Sequence, residues 1–171
     1  RYRVSKRSYY DACSSNWNDH WLYYWKPNTV TMNILILQGP NVNLLGLKSS
    51  KIGKRLTLDK LNRAIKKFSK DNGINIKTLQ THKQFQAINF LQRNRNWASG
   101  VLIIPTSWAR NDYTILETIN LIQLKTVAIY FEEEFSFGTH VGDSIFDHEN
   151  ISSITGHPKD ACFRGLEYLS S

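Results

Sequence analysis

The sequence has 171 residues, of which 41% are hydrophobic and 21% are charged. That length allows one domain with its own hydrophobic core and excludes a multidomain enzyme. No stretch approaches the roughly 18 uncharged apolar residues that a membrane-spanning helix needs, so we predict no transmembrane segment. Two cysteines, Cys13 and Cys162, are too few for a disulfide scaffold or a zinc ribbon, and we expect a reducing compartment.

The net charge of +8 is spread unevenly along the chain. Residues 1–31 have five basic and two acidic side chains, residues 32–127 have fifteen and four, and residues 128–171 have two and eight. The central part is therefore strongly basic and the last part is acidic. A solvated surface and a polyanionic partner both explain this pattern, and the charge alone leaves both open.

The first 31 residues differ in composition from the rest. They hold eight of the 21 aromatic residues and almost no aliphatic ones, so they cannot form a core of their own. Trp17, Trp21 and Trp25 recur every four residues and would form one stripe on a helix. We predict a protein interface there, against the rest of the chain or against a neighbour. We divide the chain into this aromatic extension, 1–31, and a domain over 32–171.

The sequence begins at Arg1, and its only methionine is Met32. A transit peptide removed upstream would explain this start and predicts a mitochondrial location, with a plastid as the alternative. A shortened chain, or an omitted disordered leader, is the other explanation.

From Met32 onwards, predicted strands alternate with predicted helices. We expect strands at 33–38, 74–80, 100–104, 126–131 and 151–155, helices at 57–73, 84–96, 112–123 and 159–169, and a loop at 46–56. The alternation predicts an α/β domain with a doubly wound parallel sheet of about five strands and helices on both faces. Ligands of such folds bind beyond the carboxyl ends of the strands.

The segment Gly39–Gly46, GPNVNLLG, follows the first strand directly. It resembles the signature of the type II dehydroquinases, the 3-dehydroquinate dehydratases. The resemblance runs from Ile34 to about Ile119, and more loosely to Leu169. It implies a flavodoxin-like fold and, in the family, homododecamers. We do not expect the homododecamer here, because the sequence departs most from the family pattern in the regions that build it.

The resemblance also implies where catalytic groups should lie. The family uses a loop tyrosine as base, a nearby arginine, an asparagine in the first loop and a histidine acid. The family pocket positions that are retained or conservatively changed are Asn41, Lys48, Pro105 and Glu117. The tyrosine position falls on Gly53 or Ile52, and the histidine position falls on Arg110. We therefore predict no catalytic residues and a pseudoenzyme.

Other side chains do not restore the chemistry. A tyrosine base needs nearby cations to lower its pKa of about 10, whereas the positions after the fourth strand carry Glu132 and Glu133. For the chain to be active, Tyr113 or Tyr130 would have to take the role of the missing tyrosine base. We expect instead a pocket filled by Trp108, Tyr130 and Phe131. No metal or cofactor is predicted, because the histidines lack metal-ligand spacing and the acidic cluster at 143–149 is typical of a solvated loop.

Basic residues are concentrated after the first strand. We predict nucleic-acid contacts at Lys48, Lys51, Lys54, Arg55, Arg63, Lys66, Lys67 and Lys70, with Arg93, Arg95 and Arg110 as an extension. The hypothesis is a structural subunit of a large organellar assembly, a mitochondrial ribosomal protein that contacts rRNA and other protein subunits. The alternatives are an accessory subunit of a respiratory or other membrane complex, and a dehydratase with a non-standard base.

Overall fold

The structure is a computed structural model that describes residues 31–132 and 134–171. The predicted interface residues Trp17, Trp21 and Trp25 lie outside the described residues, as does Glu133. None of the helices in the described part combines the length and the apolar character needed to cross a bilayer.

Strands and helices alternate as expected. The strands are β1 (Asn33–Gln38), β2 (Asn75–Gln80), β3 (Gly100–Ile104), β4 (Lys125–Phe131) and β5 (Ile151–Gly156). The helices are α1 (Leu45–Lys51), α2 (Leu58–Asp71), α3 (Gln84–Asn94), α4 (Trp108–Asn111), α5 (Tyr113–Ile122) and α6 (Pro158–Ser170), with 3₁₀ turns at Val42–Leu44 and Val141–Asp143.

The five strands form one parallel sheet in the order β2-β1-β3-β4-β5. This is the flavodoxin-like order, and it confirms the doubly wound α/β prediction. The chain passes from β1 outward to β2 and then returns past β1 to β3. The loops after β1 and β3 therefore diverge at the carboxyl edge, which is where such folds leave a crevice.

Helices cover both faces of the sheet. Alternate residues of β1 point to opposite faces, so Ile34 and Ile36 join one apolar cluster while Leu35 and Leu37 join the other. The first cluster includes the inner sides of α2 and α6, and the second includes those of α3 and α5. We call these the α2/α6 layer and the α3/α5 layer. Both interiors are mainly aliphatic, and each also buries aromatic side chains, such as Phe135 in the first and Phe146 in the second.

Two local predictions were wrong. Part of the predicted loop at 46–56 is helix α1, which buries Leu45 and Ser49 one turn apart. The Ser49 hydroxyl donates to the Leu56 carbonyl at 2.8 Å and accepts from the Leu56 amide at 3.1 Å, which ties the helix to the segment after it. In α3, the spacing of Phe85, Ile88 and Leu91 predicts one inward face, but Phe85 is 60% exposed, because Ala87 and Leu91 form the buried face.

Candidate functional site

The crevice at the carboxyl edge, between β1 and β3, is closed by backbone contacts. The Gly39 amide donates to the Ile104 carbonyl at 2.8 Å, and the Thr106 hydroxyl donates to the Pro40 carbonyl at 2.8 Å. A Cβ atom on Gly39 would lie 2.6 Å from the Pro105 carbonyl oxygen, so even alanine would not fit. The loops after the two strands are therefore in direct contact.

The loop after β4 seals the same edge from the other side. The Thr139 amide donates to the Thr106 carbonyl at 3.2 Å, and a Cβ atom on Gly138 would lie 2.7 Å from the Thr106 carbonyl carbon. The void left between the ends of β3 and β4 is about 10 Å³. A single water molecule needs about that much room, so no organic ligand fits there.

Two residues at this edge have left-handed backbones. Asn41 has φ 65° and Thr106 has φ 51°. Asparagine tolerates this region, but a β-branched residue rarely adopts it. Thr106 is held there by its hydroxyl contact with Pro40 and by the loop that carries Gly138. Strained backbone is common at functional sites, and both residues follow strands that flank the crevice.

The predicted pocket residues are not all brought together. Asn41 and Lys48 line one cleft, and Pro105 lies beside Gly39 at the closed crevice. Glu117 lies on the outer side of α5, in the α3/α5 layer, where it lines a separate surface depression with Tyr113. It is therefore not a neighbour of the other three.

The two tyrosines considered as substitute bases are poorly placed. Tyr130 is buried in the α3/α5 layer, and its hydroxyl lies 2.6 Å from the Ser144 hydroxyl. Burial raises the pKa of Tyr130, which is the wrong direction for a base. Tyr113 is 66% exposed on the outside of α5. Neither side chain lines the cleft beside Asn41.

The prediction that Trp108, Tyr130 and Phe131 fill one pocket agrees with the structure for two of the three. Tyr130 and Phe131 both line the small void between the ends of β3 and β4, whereas Trp108 does not. Because consecutive residues of β4 point to opposite faces of the sheet, Tyr130 is buried in the α3/α5 layer with Trp108, and Phe131 is buried in the α2/α6 layer. The contacts between the loops come from the backbone and the Thr106 hydroxyl.

A cleft of about 320 Å³ lies outside the closed crevice, against α1. Its lining consists of Asn41, Leu44, Leu47, Lys48, Lys51, Phe137 and Gly138. We call it the α1 cleft. Residues 44, 47, 48 and 51 share one side of α1 and the turn before it because they are spaced by three and four. That spacing is present in the sequence, but over seven residues it does not distinguish a helix from a loop.

An ion pair connects the segment after α1 to the loop after β4. The Lys54 ammonium contacts the Glu134 carboxylate, which lowers the pKa of Glu134. The same ammonium lies 5.2 Å from the centre of the Phe135 ring. Lys54 therefore differs from the other seven predicted nucleic-acid residues, because its charge is already paired.

The cations of α2 share the helix side that faces away from the sheet. Leu61 and Ile65 are buried on its inner side. The exposed set, which we call the α2 basic face, is Lys60, Arg63, Lys66, Lys67 and Lys70. Within the described residues, no carboxylate lies within 4.0 Å of these cations. Arg93 and Arg95 belong to the end of α3 in the opposite layer, so they do not extend this face as predicted.

Metal ligands and a reactive thiol were also considered. In residues 31–132 and 134–171, no three His, Cys, Asp or Glu side chains are grouped closely enough to hold a metal ion. Burial raises the pKa of the Cys162 thiol to about 12, so it is protonated at neutral pH and unreactive.

Comparison with known proteins places the chain in a family. The Dehydroquinase class II family matches residues 32–170. A 3-dehydroquinate dehydratase of Geotalea daltonii is 29% identical over 138 residues, which are 81% of this chain and 96% of the relative. That of Trichodesmium erythraeum is 27% identical over 137 residues, 80% and 91% of the two chains.

A solved structure shows the same fold. The type II dehydroquinase from Butyrivibrio crossotus aligns with a TM-score of 0.71 and 21% identity, over 83% of this chain and 99% of that one. The alignment spans most of both chains, so the two proteins share the fold described above. The family match covers β1 to α6, including the closed crevice and the α1 cleft, and the chain therefore belongs to the dehydroquinase class II family.

Proposed function

We propose that the chain is a non-catalytic structural subunit of a large organellar assembly, a mitochondrial ribosomal protein whose dehydroquinase fold contacts rRNA and neighbouring proteins. One contrast carries the proposal. The crevice at the carboxyl edge is filled by backbone, while the α2 basic face is exposed. A fold with no room for a ligand between the ends of β3 and β4, and with a cationic outer surface, is suited to binding a polyanion.

The loss of catalysis follows from the groups at the edge. General acid and general base each contribute about 10²- to 10⁴-fold to an enzymatic rate. The positions that the family resemblance assigns to these roles hold Gly53 or Ile52 and Arg110. Tyr130 is buried with a raised pKa, and Tyr113 is exposed on the outer side of α5, away from the α1 cleft. Among the described residues, neither tyrosine lies beside Asn41 to act as a base, which supports the proposed loss of catalysis.

The cationic surface supports contact with RNA phosphates. Lysine and arginine side chains on one helix side neutralise the phosphate backbone and release its counterions without reading the base sequence. Four of the five cations of the α2 basic face make no side-chain hydrogen bond among the described residues, and the Lys60 ammonium donates only to the Arg55 carbonyl at 2.8 Å. The charges are therefore available to a partner.

The proposal is tested by sedimentation of the tagged protein with mitochondrial ribosomal particles at moderate salt. We expect the wild type to co-sediment and Lys66→Glu/Lys67→Glu to shift to lighter fractions. The matched control is Arg93→Glu/Arg95→Glu, which makes the same charge change in the opposite layer. The proposal fails if the wild type stays with small complexes, or if both double variants sediment like the wild type.

A second function is favoured by one observation. The similar proteins named above are 3-dehydroquinate dehydratases, and Asn41 keeps a left-handed backbone beside the α1 cleft. On this alternative the chain is a dehydratase with a non-standard base, and it turns over 3-dehydroquinate in a reaction that requires Asn41. The closed crevice and the raised pKa of Tyr130 are arguments against it.

A further inference from the structure

The α1 cleft combines an apolar lining with cations. Leu44, Leu47 and Phe137 supply apolar surface, and Lys48 and Lys51 lie beside them. Its volume of about 320 Å³ is at the lower end of the roughly 300–1,000 Å³ of ligand sites. A group that fits this lining has a face that packs on apolar side chains and carries negative charge next to that face.

Two of the walls are held in place. The Phe137 ring packs against the Phe131 ring edge-to-face, with the ring centres 6.0 Å apart, and Phe131 is buried. The Asn41 backbone is anchored by the Leu44 amide, which donates to the Asn41 carbonyl at 2.8 Å. The Asn41 side chain does not cap the turn that follows it, so its amide is available to a ligand.

Helix α1 contacts the start of α2 on the side opposite the cleft. Gly46 of α1 lies against Thr57, the N-cap residue of α2, because a Cβ atom on Gly46 would be 3.2 Å from the Thr57 methyl group. The Lys60 contact with the Arg55 carbonyl joins α2 to the segment after α1. In the described residues, neither Lys48 nor Lys51 has a carboxylate within 4.0 Å. Cations therefore flank α1: Lys48 and Lys51 lie at the rim of the cleft, and those of α2 belong to the helix that begins on the other side of α1.

We propose that the α1 cleft receives one unstacked base of the RNA whose phosphates lie on the α2 basic face. The inference rests on the proposed function and adds a base-binding site to it. The base packs against Phe137, Leu44 and Leu47, the Asn41 amide faces its polar edge, and Lys48 and Lys51 contact the flanking phosphates. RNA-binding proteins commonly hold splayed-out bases against aromatic side chains.

The test compares two RNA hairpins that differ by one bulged nucleotide, with 2-aminopurine at the bulge. Leaving a base stack raises the fluorescence of this base analogue, so we expect an increase on binding. The bulged hairpin should bind about tenfold more tightly than the unbulged one, since base stacking on a protein surface has that order of effect. This first comparison uses the wild-type full chain.

The informative variant is Leu47→Ser, which removes an apolar wall and leaves the charges unchanged. Leu47 is 64% exposed, so folding should be unaffected. We expect it to lose the fluorescence increase and the preference for the bulge while keeping its affinity for the unbulged hairpin. The matched control is Leu121→Ser, which truncates the exposed Leu121 on α5 and should behave like the wild type.

The outcomes that would contradict the base site differ from those that would contradict RNA binding. Equal affinity of the wild type for the two hairpins, or an undiminished fluorescence increase with Leu47→Ser, would overturn the base site and leave the RNA-binding proposal standing. Failure to bind either hairpin would reject RNA binding and the base site together. If 2-aminopurine riboside monophosphate alone binds as tightly as the bulged hairpin, the cleft is a small-ligand site and the inference is wrong.

Discussion

The two helical layers have similar interiors and very different outer surfaces. The α2/α6 layer presents the α2 basic face, whereas α5 in the other layer exposes Tyr113 and Leu121, with Glu117 as the charged residue between them. The basic character of residues 32–127 is therefore concentrated on particular surfaces. The comparison indicates that the inner face of each helix is set by the sheet, while its outer face is free to adapt to a partner.

The largest expected effect concerns the difference in charge between the outer surfaces of the two layers. Lys66→Glu/Lys67→Glu should lower the affinity for duplex RNA by on the order of 100-fold and reduce the slope of log affinity against log salt by about 2, because two phosphate contacts are lost. Arg93→Glu/Arg95→Glu should change the affinity much less. Salt titrations of RNA binding measure both. Equal losses in the two double variants would show that the layers do not differ as RNA-binding surfaces.

The next largest effect compares a substitution in the packed interior with one on an outer surface. Gly165 of α6 packs so closely on the sheet that a Cβ atom would lie 2.9 Å from Ile129 Cδ1 and 3.1 Å from Leu102 Cδ1. Gly165→Val should lower the free energy of unfolding by about 1–3 kcal/mol through overpacking. Leu121→Ser should change it by less than about 0.5 kcal/mol. Urea denaturation of both variants tests this, and a Gly165→Val protein as stable as the wild type would contradict the packing.

A smaller effect compares the first turns of α2 and α5. The Thr57 hydroxyl accepts from the Lys60 amide at 3.3 Å, and the Asp112 carboxylate accepts from the Ile115 amide at 3.2 Å. Thr57→Ala and Asp112→Ala should each cost about 1 kcal/mol of unfolding free energy. Thr57→Ser and Asp112→Asn keep a capping oxygen and serve as controls in denaturant titrations. Alanine variants as stable as these controls would mean that the caps do not contribute.

The smallest effect concerns the ion pair between Lys54 and Glu134. Because the pKa of Glu134 is lowered in the folded chain, the pair stabilises the fold above the ordinary pKa of 4.5, and this contribution is lost as the pH falls through the lower folded value. Glu134→Gln should reduce the loss of Tm on acidification through this range. Both groups are exposed, so the change should be slight and should vanish in high salt. An acid dependence identical to that of the wild type would show that the pair has no net effect.

Much of the fold was predictable because its signals are local. The apolar run of β3, the spacing of Leu61 and Ile65 and the cap at Thr57 each depend on residues close together in the sequence. The parallel sheet with helices on both faces followed from the alternation of strands and helices, whereas the flavodoxin-like fold was implied by the family resemblance. Phe85 was misplaced because its helix face is decided by packing against α5, which the spacing alone does not reveal.

The candidate site was less predictable because it is built from contacts between distant segments. Asn41 could be located from its motif, but closure of the crevice depends on Pro40 meeting Thr106, 66 residues away. The Lys54 and Glu134 pair spans 80 residues. Sequence reasoning counted Lys54 as a free cation for that reason. The α1 cleft was missed because a helix of seven residues has too weak a pattern to distinguish it from a loop.

The most direct test of the central claim, that the fold is retained without its chemistry, is incubation of the purified chain with 3-dehydroquinate while the enone absorbance is recorded. A type II dehydroquinase serves as the positive control, and Asn41→Ala as the site variant. We predict no increase above the rate in buffer for the wild type. Turnover by the wild type that disappears in Asn41→Ala would contradict the account.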